Sequence, residues 1–323
     1  MENFLSDISA DAKIKVIGVG GGGGNTVGRM IEENVKGVEY ICVNTDAQAL
    51  KNSPSNNKVH IGQILTKGLG AGANPEIGSK ALLESENEVK ELLADTDMLF
   101  ITAGMGGGTG TGAAPEIARI AKDLDILTVA IVTIPFKFEG RKRSINANFG
   151  LDNLKKNVDT LIVVSNEKLL TLADKKITMT DAFKTADKVV TQGIQGISDL
   201  ISVPGIINLD FADIQTIMKN KGEAYMGMGV GHGEDRAIMA IENALKSPLV
   251  ERNINNATGV LMNVTSNMDL GLFEVSECAE YMRDFVHEDA NVIFGASIDE
   301  SLNDKVKVTI IGTGFNDEGD FLN

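Results

Sequence analysis

The chain has 323 residues, of which 45 are acidic and 30 basic, so its formal net charge at pH 7 is −15. This charge disfavours nucleic acid or an anionic membrane surface as the main partner, and it makes association between copies sensitive to salt and divalent cations. Two distant cysteines and three scattered histidines disfavour a zinc site or a histidine-based nucleophile triad. No signal-peptide pattern and no apolar run of ~20 residues is present, so we expect a cytoplasmic protein without direct membrane insertion.

The first half of the chain alternates short apolar segments with longer segments of helical spacing. Strands are predicted at Ile14–Gly18, Tyr40–Asn44, Met98–Ala103, Leu127–Ile134 and Thr160–Val164. Helices are predicted at Glu76–Leu93, Thr109–Lys122 and Arg141–Asn157. Apolar strands that alternate with helices predict a parallel sheet covered on both faces, with ligands at the carboxyl ends of its strands.

A long amphipathic helix is predicted at Thr180–Ser202, because its apolar residues recur every three or four positions. At ~1.5 Å per residue this central helix would run roughly 30 Å. Beyond it, strands are predicted at Gly222–Gly231, Ala257–Val264, Ala290–Ser297 and Lys305–Ile311, and helices at Glu234–Leu245 and Val275–Val286. These segments predict a second, smaller α/β unit.

The first glycine-rich loop is the sequence GVGGGGGN, which follows the first predicted strand. It fits the pattern G-x-G-x-x-G at Gly18, Gly20 and Gly23, and Asp46 follows the next strand, where a ribose-binding acid would lie. These features alone support an NAD-dependent oxidoreductase. The pattern is weakly specific, because five consecutive glycines match almost any glycine motif.

Two further glycine-rich loops favour a different interpretation from an NAD-dependent oxidoreductase. The sequence GMGGGTGTGAAP follows the strand at Met98–Ala103, and GLGAGANPEIG precedes another helix. Bare backbone amides at a helix N-terminus bind anions, and several of them can replace the lysine of a P-loop. Three such loops predict a nucleoside di- or triphosphate as the ligand, with Mg²⁺ held mainly by phosphate oxygens and water.

Together with NTDAQ, TIPFKFEG and NLDFADI, these loops resemble the FtsZ family, the bacterial tubulin-like cell-division GTPases. The resemblance runs in order over residues 10–315 and implies GTP or GDP as ligand, with Mg²⁺ and, as an option, K⁺. It implies a Rossmann-like α/β GTP-binding domain (1–179), a central helix (180–203) and a catalytic loop with a connecting helix (204–222). A smaller α/β C-terminal domain (223–316) and a short acidic tail (317–323) complete the expected order.

The resemblance also assigns nucleotide contacts, in four groups. The first loop and the following strand contribute Gly20, Gly21, Gly22, Gly23, Gly24, Asn25, Asn44 and Asp46. The third loop contributes Gly70, Ala71, Gly72, Ala73 and Asn74. The second loop contributes Gly104, Met105, Gly106, Gly107, Gly108, Thr109, Gly110, Thr111 and Gly112. Thr133, Pro135, Glu139, Arg143, Asn166, Phe183 and Asp187 complete the set.

The residue types at the base and sugar positions leave other interpretations open. Phe183 and Asp187 lie four residues apart, so they share one helix face. A carboxylate there can accept hydrogen bonds from the two adjacent donors of guanine, whereas the acceptor that adenine presents would repel it. The alternative is a core phenylalanine beside a solvated aspartate. Glu139 and Arg143 have the same spacing, and a surface ion pair is their alternative interpretation.

Hydrolysis requires a group that orients water, and the glycine loops contain none. Asn208, Asp210 and Asp213 follow the central helix and are the candidate catalytic residues, although Asp210 also suits the N-cap of the next helix. A 30 Å helix separates them from the base, so they would act on the nucleotide of a neighbouring molecule. In the resembled family, head-to-tail contacts of this kind build a filament at the mid-cell division site, and GDP weakens them. A filament that binds nucleotide without hydrolysing it is the remaining alternative.

Several positions depart from the pattern of the resembled family. Thr26 and Gly28 stand where alanine and asparagine are usual, Ser165 and Glu167 flank Asn166, and Gln215 replaces a frequent basic residue. We expect altered rates rather than lost binding. The family's tail-binding division proteins and membrane tethers are expected partners only if a longer C-terminal tail exists.

Overall fold

The computed structural model describes residues 12–172, 177–202, 205–207, 209–246 and 252–315. The first sheet contains β1 (Ile14–Val19), β2 (Glu39–Asn44), β3 (Asn57–His60), β4 (Met98–Gly104), β5 (Leu127–Ile134), β6 (Thr160–Ser165) and β7 (Gly222–Glu223). Its spatial order is β3-β2-β1-β4-β5-β6-β7, and every neighbouring pair is parallel.

Helices cover both faces of this sheet. They are α1 (Gly20–Glu32), α2 (Ala47–Asn52), α3 (Gln63–Thr66), α4 (Pro75–Glu84), α5 (Glu86–Leu93), α6 (Thr109–Asp123), α7 (Arg141–Lys155) and α8 (Asn166–Leu172). Successive side chains of β1 enter different apolar clusters, since Val16 packs on one face of the sheet and Ile17 on the other. This double burial explains why the strands are continuous apolar runs rather than alternating ones.

The central helix α9 (Met179–Ser202) joins the two halves, and α10 (Phe211–Met218) follows it. Gly193 lets α9 approach Ile131 of the first sheet and Met226 of the second, and Gly196 lies against Thr309. The second sheet contains β8 (Tyr225–Gly231), β9 (Gly259–Ser266), β10 (Asn291–Ile298) and β11 (Val306–Thr313), with α11 (Arg236–Leu245) and α12 (Leu272–Arg283). Its order is β10-β9-β11-β8, with β10 and β9 parallel and the other pairs antiparallel.

These observations confirm the predicted fold class: a parallel, Rossmann-like α/β sheet, a central helix and a second, smaller α/β unit. Two element predictions were wrong in detail. The helix predicted at Glu76–Leu93 is two helices that break at Ser85, whose backbone leaves helical geometry. The strand predicted at Gly222–Gly231 is divided, because Gly222 turns with a φ of 70° and β7 pairs with β6 of the first sheet.

The topology places a crevice at one edge of the first sheet. The strand order reverses at β1, which lies between β2 and β4, and such a switch point opens a crevice at the carboxyl ends of parallel strands. α1 begins directly after β1, and α6 begins five residues after β4. Within the described ranges, no helix is both long and apolar enough to cross a membrane.

Candidate functional site

The glycines of the first loop divide into packed and open positions. A Cβ at Gly23 would collide with the carbonyl oxygen of Thr102, and one at Gly20, whose φ is 72°, would lie 2.9 Å from the Gly110 nitrogen. A Cβ at Gly21 or Gly24 would meet no atom within 4 Å. Some glycines therefore let α1 pack against the neighbouring strand and loop, whereas others leave bare backbone that faces open space.

The second loop runs from β4 into α6 and has the same division. Gly106 has a φ of 102°, and its amide donates a 2.8 Å hydrogen bond to the Thr111 hydroxyl. A Cβ at Gly108 would lie 2.9 Å from the Asn74 nitrogen, but one at Gly107 would meet nothing within 4 Å. The loop is thus fixed by its neighbours and exposes one bare position before the positive end of α6.

The third loop is attached to the second loop by two residues that the sequence patterns did not single out, Asn146 and Thr45. Asn146 donates to the carbonyl oxygens of Ala73 (3.1 Å) and Gly106 (3.3 Å). The buried hydroxyl of Thr45 lies 2.6 Å from the hydroxyl of Thr109. The backbone carbonyl of Thr45 accepts a hydrogen bond from the amide of Gly70 at 3.2 Å. The second and third loops are therefore connected by hydrogen bonds, and the first loop packs closely against the second at Gly20 and Gly110, at the carboxyl edge of the sheet.

Within the third loop, the remaining predicted positions have distinct roles. Ala71 is buried, and a Cβ at Gly70 or Gly72 would meet nothing within 4 Å. Asn74 accepts from the Glu76 amide at 3.0 Å and caps α4. The loop thus presents open backbone on one side and is secured to a helix on the other.

A cavity of about 730 Å³ lies beside the first loop, between α1, the end of β2 and the start of α9. The predicted residues that line it are Gly20, Gly21, Gly24, Asn25, Asn44, Phe183 and Asp187. Asp46 is not among them; its carboxylate caps α2 by accepting from the amides of Gln48 and Ala49, each at 2.9 Å. The cap is the role that the contacts give to Asp46.

The carboxyl group of Asp187 lies in an unusual electrostatic environment. Burial raises the pKa of Asp187 to about 6, although the Thr26 hydrogen bond and the positive charge of Arg29 both lower it. Thr26 Oγ1 donates to Asp187 Oδ1 at 3.0 Å. The carboxylate is therefore a desolvated acceptor, held in place from α1.

Asn166 and Phe183 extend this end of the site. Asn166 is 5% exposed, and its Oδ1 has no hydrogen-bond partner among the described residues, which is typical of a group that awaits a ligand. Phe183 keeps 39% of its surface exposed and packs edge-on against Phe136, with ring centroids 5.3 Å apart. A buried amide oxygen and a partly open aromatic ring suit a heterocyclic base.

Glu139 and Arg143 form an ion pair with each other, as their alternative interpretation expected. Glu139 also accepts from the Phe136 amide at 3.0 Å, while half of the Arg143 side chain stays exposed. Thr133 precedes this segment, and its carbonyl accepts from the Met105 amide at 2.8 Å. The pair therefore lies next to the second loop, and the exposed part of the Arg143 side chain is accessible to an anion there.

The acidic segment lies at the opposite edge of the sheet. Ser202, at the end of α9, packs against Gly37, which precedes β2. After α10, the Asn220 amide donates to Asp159, which precedes β6, at 3.0 Å. Both anchors are therefore at the amino ends of parallel strands, whereas the glycine loops follow the carboxyl ends.

The acidic side chains lie in the chain between these anchors. Asp210 Oδ1 accepts from the Asp213 amide at 2.8 Å and caps α10, which is the alternative role foreseen for it. Asp210 is exposed and Asp213 half-buried. Asn208 lies outside the described residues, as does the tail at 317–323.

Comparison with known proteins places this geometry in a family. The model of the Tubulin/FtsZ family GTPase domain matches residues 13–174, and that of the FtsZ family C-terminal domain matches residues 222–316. The chain belongs to the FtsZ family. An empty FtsZ dimer from M. jannaschii is 45% identical, with a TM-score of 0.89 over 94% of this chain and 88% of that one.

Two further structures agree with this assignment. A tryptophan-to-tyrosine point mutant of M. jannaschii FtsZ is 44% identical, with a TM-score of 0.91 over 96% of this chain and 93% of that one. CetZ2 from Haloferax volcanii, in a GTPγS-bound protofilament, shares the fold at 19% identity, with a TM-score of 0.79 over 96% of this chain and 95% of that one. As an FtsZ-family protein, the chain is a GTP-binding GTPase of the tubulin-like filament class that serves cell division.

Proposed function

We propose that the chain hydrolyses GTP only in a head-to-tail filament, in which the acidic segment of one molecule completes the nucleotide site of the next. The observation that carries this proposal is the placement of glycine loops and carboxylates at opposite edges of one sheet. Asp187 and Ser202 are separated by about 22 Å of α9, at ~1.5 Å per residue. A carboxylate at the far edge therefore cannot reach a phosphate bound at the near edge of the same molecule.

In this proposal the domain boundaries are those expected from the sequence. Residues 1–179 bind the nucleotide, 180–203 form the central helix, 204–222 carry the catalytic loop, and 223–316 form the C-terminal domain. Backbone amides around Gly21, at the start of α1, and around Gly107 contact the phosphates, because these positions are open, and Gly24 keeps the adjoining face of α1 open. Asp187 and Asn166 read guanine, and Phe183 stacks on it.

Asp210 and Asp213 of the neighbouring molecule, with Asn208, orient the attacking water. Mg²⁺ would be held mainly by phosphate oxygens and water, with K⁺ as an optional second cation. That arrangement fits the described residues, where no group of three or more His, Cys, Asp or Glu side chains is placed to hold a metal ion. The cation would neutralise phosphate charge beside loops that supply no lysine.

The two edges also expose apolar side chains that a head-to-tail contact would bury. Leu69 and Phe138 are 86% and 59% exposed near the glycine loops, and Ile206 and Ile207 are 57% and 45% exposed near Asp210. Large exposed apolar patches mark interaction surfaces. Different surfaces at the two ends make a heterologous contact, which does not close and therefore produces filaments.

The proposed setting is the cytoplasm at the mid-cell division site, where the filament forms the bacterial division ring. Tail-binding division proteins and membrane tethers would join it only if a longer C-terminal tail exists. A filament without hydrolysis remains the second candidate, because Asp210 is engaged as a helix cap. NAD-dependent oxidation has lost its support, since Asp46 caps α2 rather than lining the cavity.

Phosphate release measured against protein concentration, with GTP and Mg²⁺, tests the proposal. We expect turnover per molecule to rise sharply above a threshold, together with material that pellets. Steady turnover by monomers at every concentration would contradict it. Stable polymers without phosphate release would favour the second candidate.

A further inference from the structure

Thr26 connects α1 to the central helix at the proposed base site. It is 3% exposed, and its hydroxyl donates to Asp187 Oδ1 at 3.0 Å. The carbonyl of Gly22, one turn earlier, is a weaker competing acceptor at 3.3 Å. A hydroxyl has one hydrogen to donate, and the nearer, charged oxygen makes the stronger bond.

The side chain lies behind the cavity wall. Asn25 and Arg29 line the cavity beside Asp187, but Thr26 does not. Any effect of Thr26 on a bound base must therefore pass through the carboxylate. A hydroxyl bound to one oxygen restricts rotation of the carboxyl group, so its remaining lone pairs point in a fixed direction.

We propose that Thr26 is a positioning residue for base selection, whose hydroxyl keeps the Asp187 carboxylate ionised and oriented to accept both donors of guanine. The proposal rests on the GTP-binding function proposed above. Guanine presents a ring N–H and an exocyclic amino group side by side, so both are satisfied only by an ionised carboxylate with the correct rotation. Hypoxanthine lacks the amino group and offers only the ring N–H, so its binding depends less on the rotation of the carboxylate.

The pH dependence of binding follows from the surroundings of Asp187. Burial raises its pKa to about 6, and the Thr26 hydrogen bond acts in the opposite direction. The other titratable or charged groups that line this cavity are Arg29, Glu32, Cys42 and Lys184. Arg29 lowers the pKa of Asp187, while burial raises the pKa of the Cys42 thiol, which keeps that group neutral. Loss of the Thr26 hydroxyl therefore favours protonation of Asp187, and a protonated carboxyl presents a donor where guanine also presents donors.

Equilibrium binding of GDP and IDP by calorimetry, from about pH 5.5 to about pH 8.5, tests the proposal. Thr26→Val removes the hydroxyl at nearly constant shape, and Thr26→Ser is the matched control that retains it. We expect the affinity of the wild type and of Thr26→Ser for GDP to fall together at low pH. In Thr26→Val the fall should begin at higher pH, with GDP binding about tenfold weaker near pH 6.5 and only partly restored at the alkaline end, where the carboxylate is ionised but no longer oriented by the hydroxyl. The preference for GDP over IDP should shrink in the same variant.

A third variant separates the role of Thr26 from a general structural effect. Asp187→Asn carries no titrating carboxyl, so its weak GDP binding should lose this pH dependence. An unchanged midpoint in Thr26→Val, or equal weakening at every pH, would overturn the positioning role. Retained pH dependence in Asp187→Asn would overturn it as well. Absence of GDP binding by the wild type at every pH would instead refute the proposed function itself.

Discussion

At its carboxyl edge the seven-stranded sheet presents bare backbone, whereas at its amino edge it presents carboxylates. The second and third glycine loops are connected by Thr45 and Asn146, so their amides are held in place. The acidic segment lies at the opposite edge, where Ser202 and Asn220 flank it and Ile207 pairs with Ala296 of the second sheet. This difference supports the proposal that one molecule holds the binding site, while cleavage needs a group from a second molecule.

The largest expected effect separates cleavage from binding at the amino edge. Asp213→Asn removes one charge, and we expect GTP hydrolysis to fall by about a hundredfold or more, as for loss of a general base. GTP affinity should stay unchanged, because the segment lies at the far edge of the sheet. Phosphate release and equilibrium binding measure the two quantities. Asp210→Asn removes the other charge in the same way, and its amide oxygen can still accept the hydrogen bond that caps α10.

The converse substitution at the carboxyl edge should weaken GTP binding. Gly107→Asp places a negative charge at a position where a Cβ has open space, so the fold should persist while a bound phosphate is repelled. We expect GTP affinity to fall by about a hundredfold, and hydrolysis with it. Gly107→Ala is the uncharged control and should weaken binding far less. Normal GTP affinity in Gly107→Asp would place the phosphates elsewhere.

The exposed apolar residues should affect assembly more than either chemical step. Ile206→Lys introduces charge on a side chain that is 57% exposed near the acidic segment. We expect the protein concentration needed for pelleting to rise by about tenfold, which corresponds to the burial of one side chain in the contact. Nucleotide binding by the monomer should be unaffected. Unchanged assembly would remove this residue from the proposed contact.

The smallest effects should distinguish packed from open glycines within α1. Gly23→Ala would collide with the Thr102 carbonyl, so we expect the free energy of unfolding to fall by about 2 kcal/mol or more. The added methyl group in Gly24→Ala meets no atom within 4 Å. This substitution should raise the free energy of unfolding by roughly 0.5–1 kcal/mol, since alanine has a higher helix propensity than glycine. Denaturant unfolding of the nucleotide-free protein measures both. GDP binding should weaken in Gly24→Ala, because the methyl group projects from an open face of the loop.

The sequence predicted the alternation of strands and helices and the central helix, since these follow from apolar periodicity over long segments. It did not predict the break at Ser85, because the residues on both sides are helical and read as one helix. It did not predict the division at Gly222, because that division depends on which sheet each segment joins. The glycine-rich sequences predicted loops at the carboxyl edge of the sheet, but not which of their glycines pack and which are open. Thr26 and Asn146 matter through contacts with residues distant in the chain, and no local pattern announces such contacts.

Mixing two inactive variants tests the central claim most directly. Asp213→Asn binds GTP but lacks the acidic group. Gly107→Asp retains the acidic segment but carries little GTP at a nucleotide concentration well below its weakened Kd. If the site forms between molecules, an equimolar mixture should regain hydrolysis, up to about a quarter of the wild-type rate when neighbours assemble at random. Each variant alone should stay inactive at the same total concentration. A mixture as inactive as its components, under conditions where it still assembles, would contradict the claim that one molecule cleaves the nucleotide of the next.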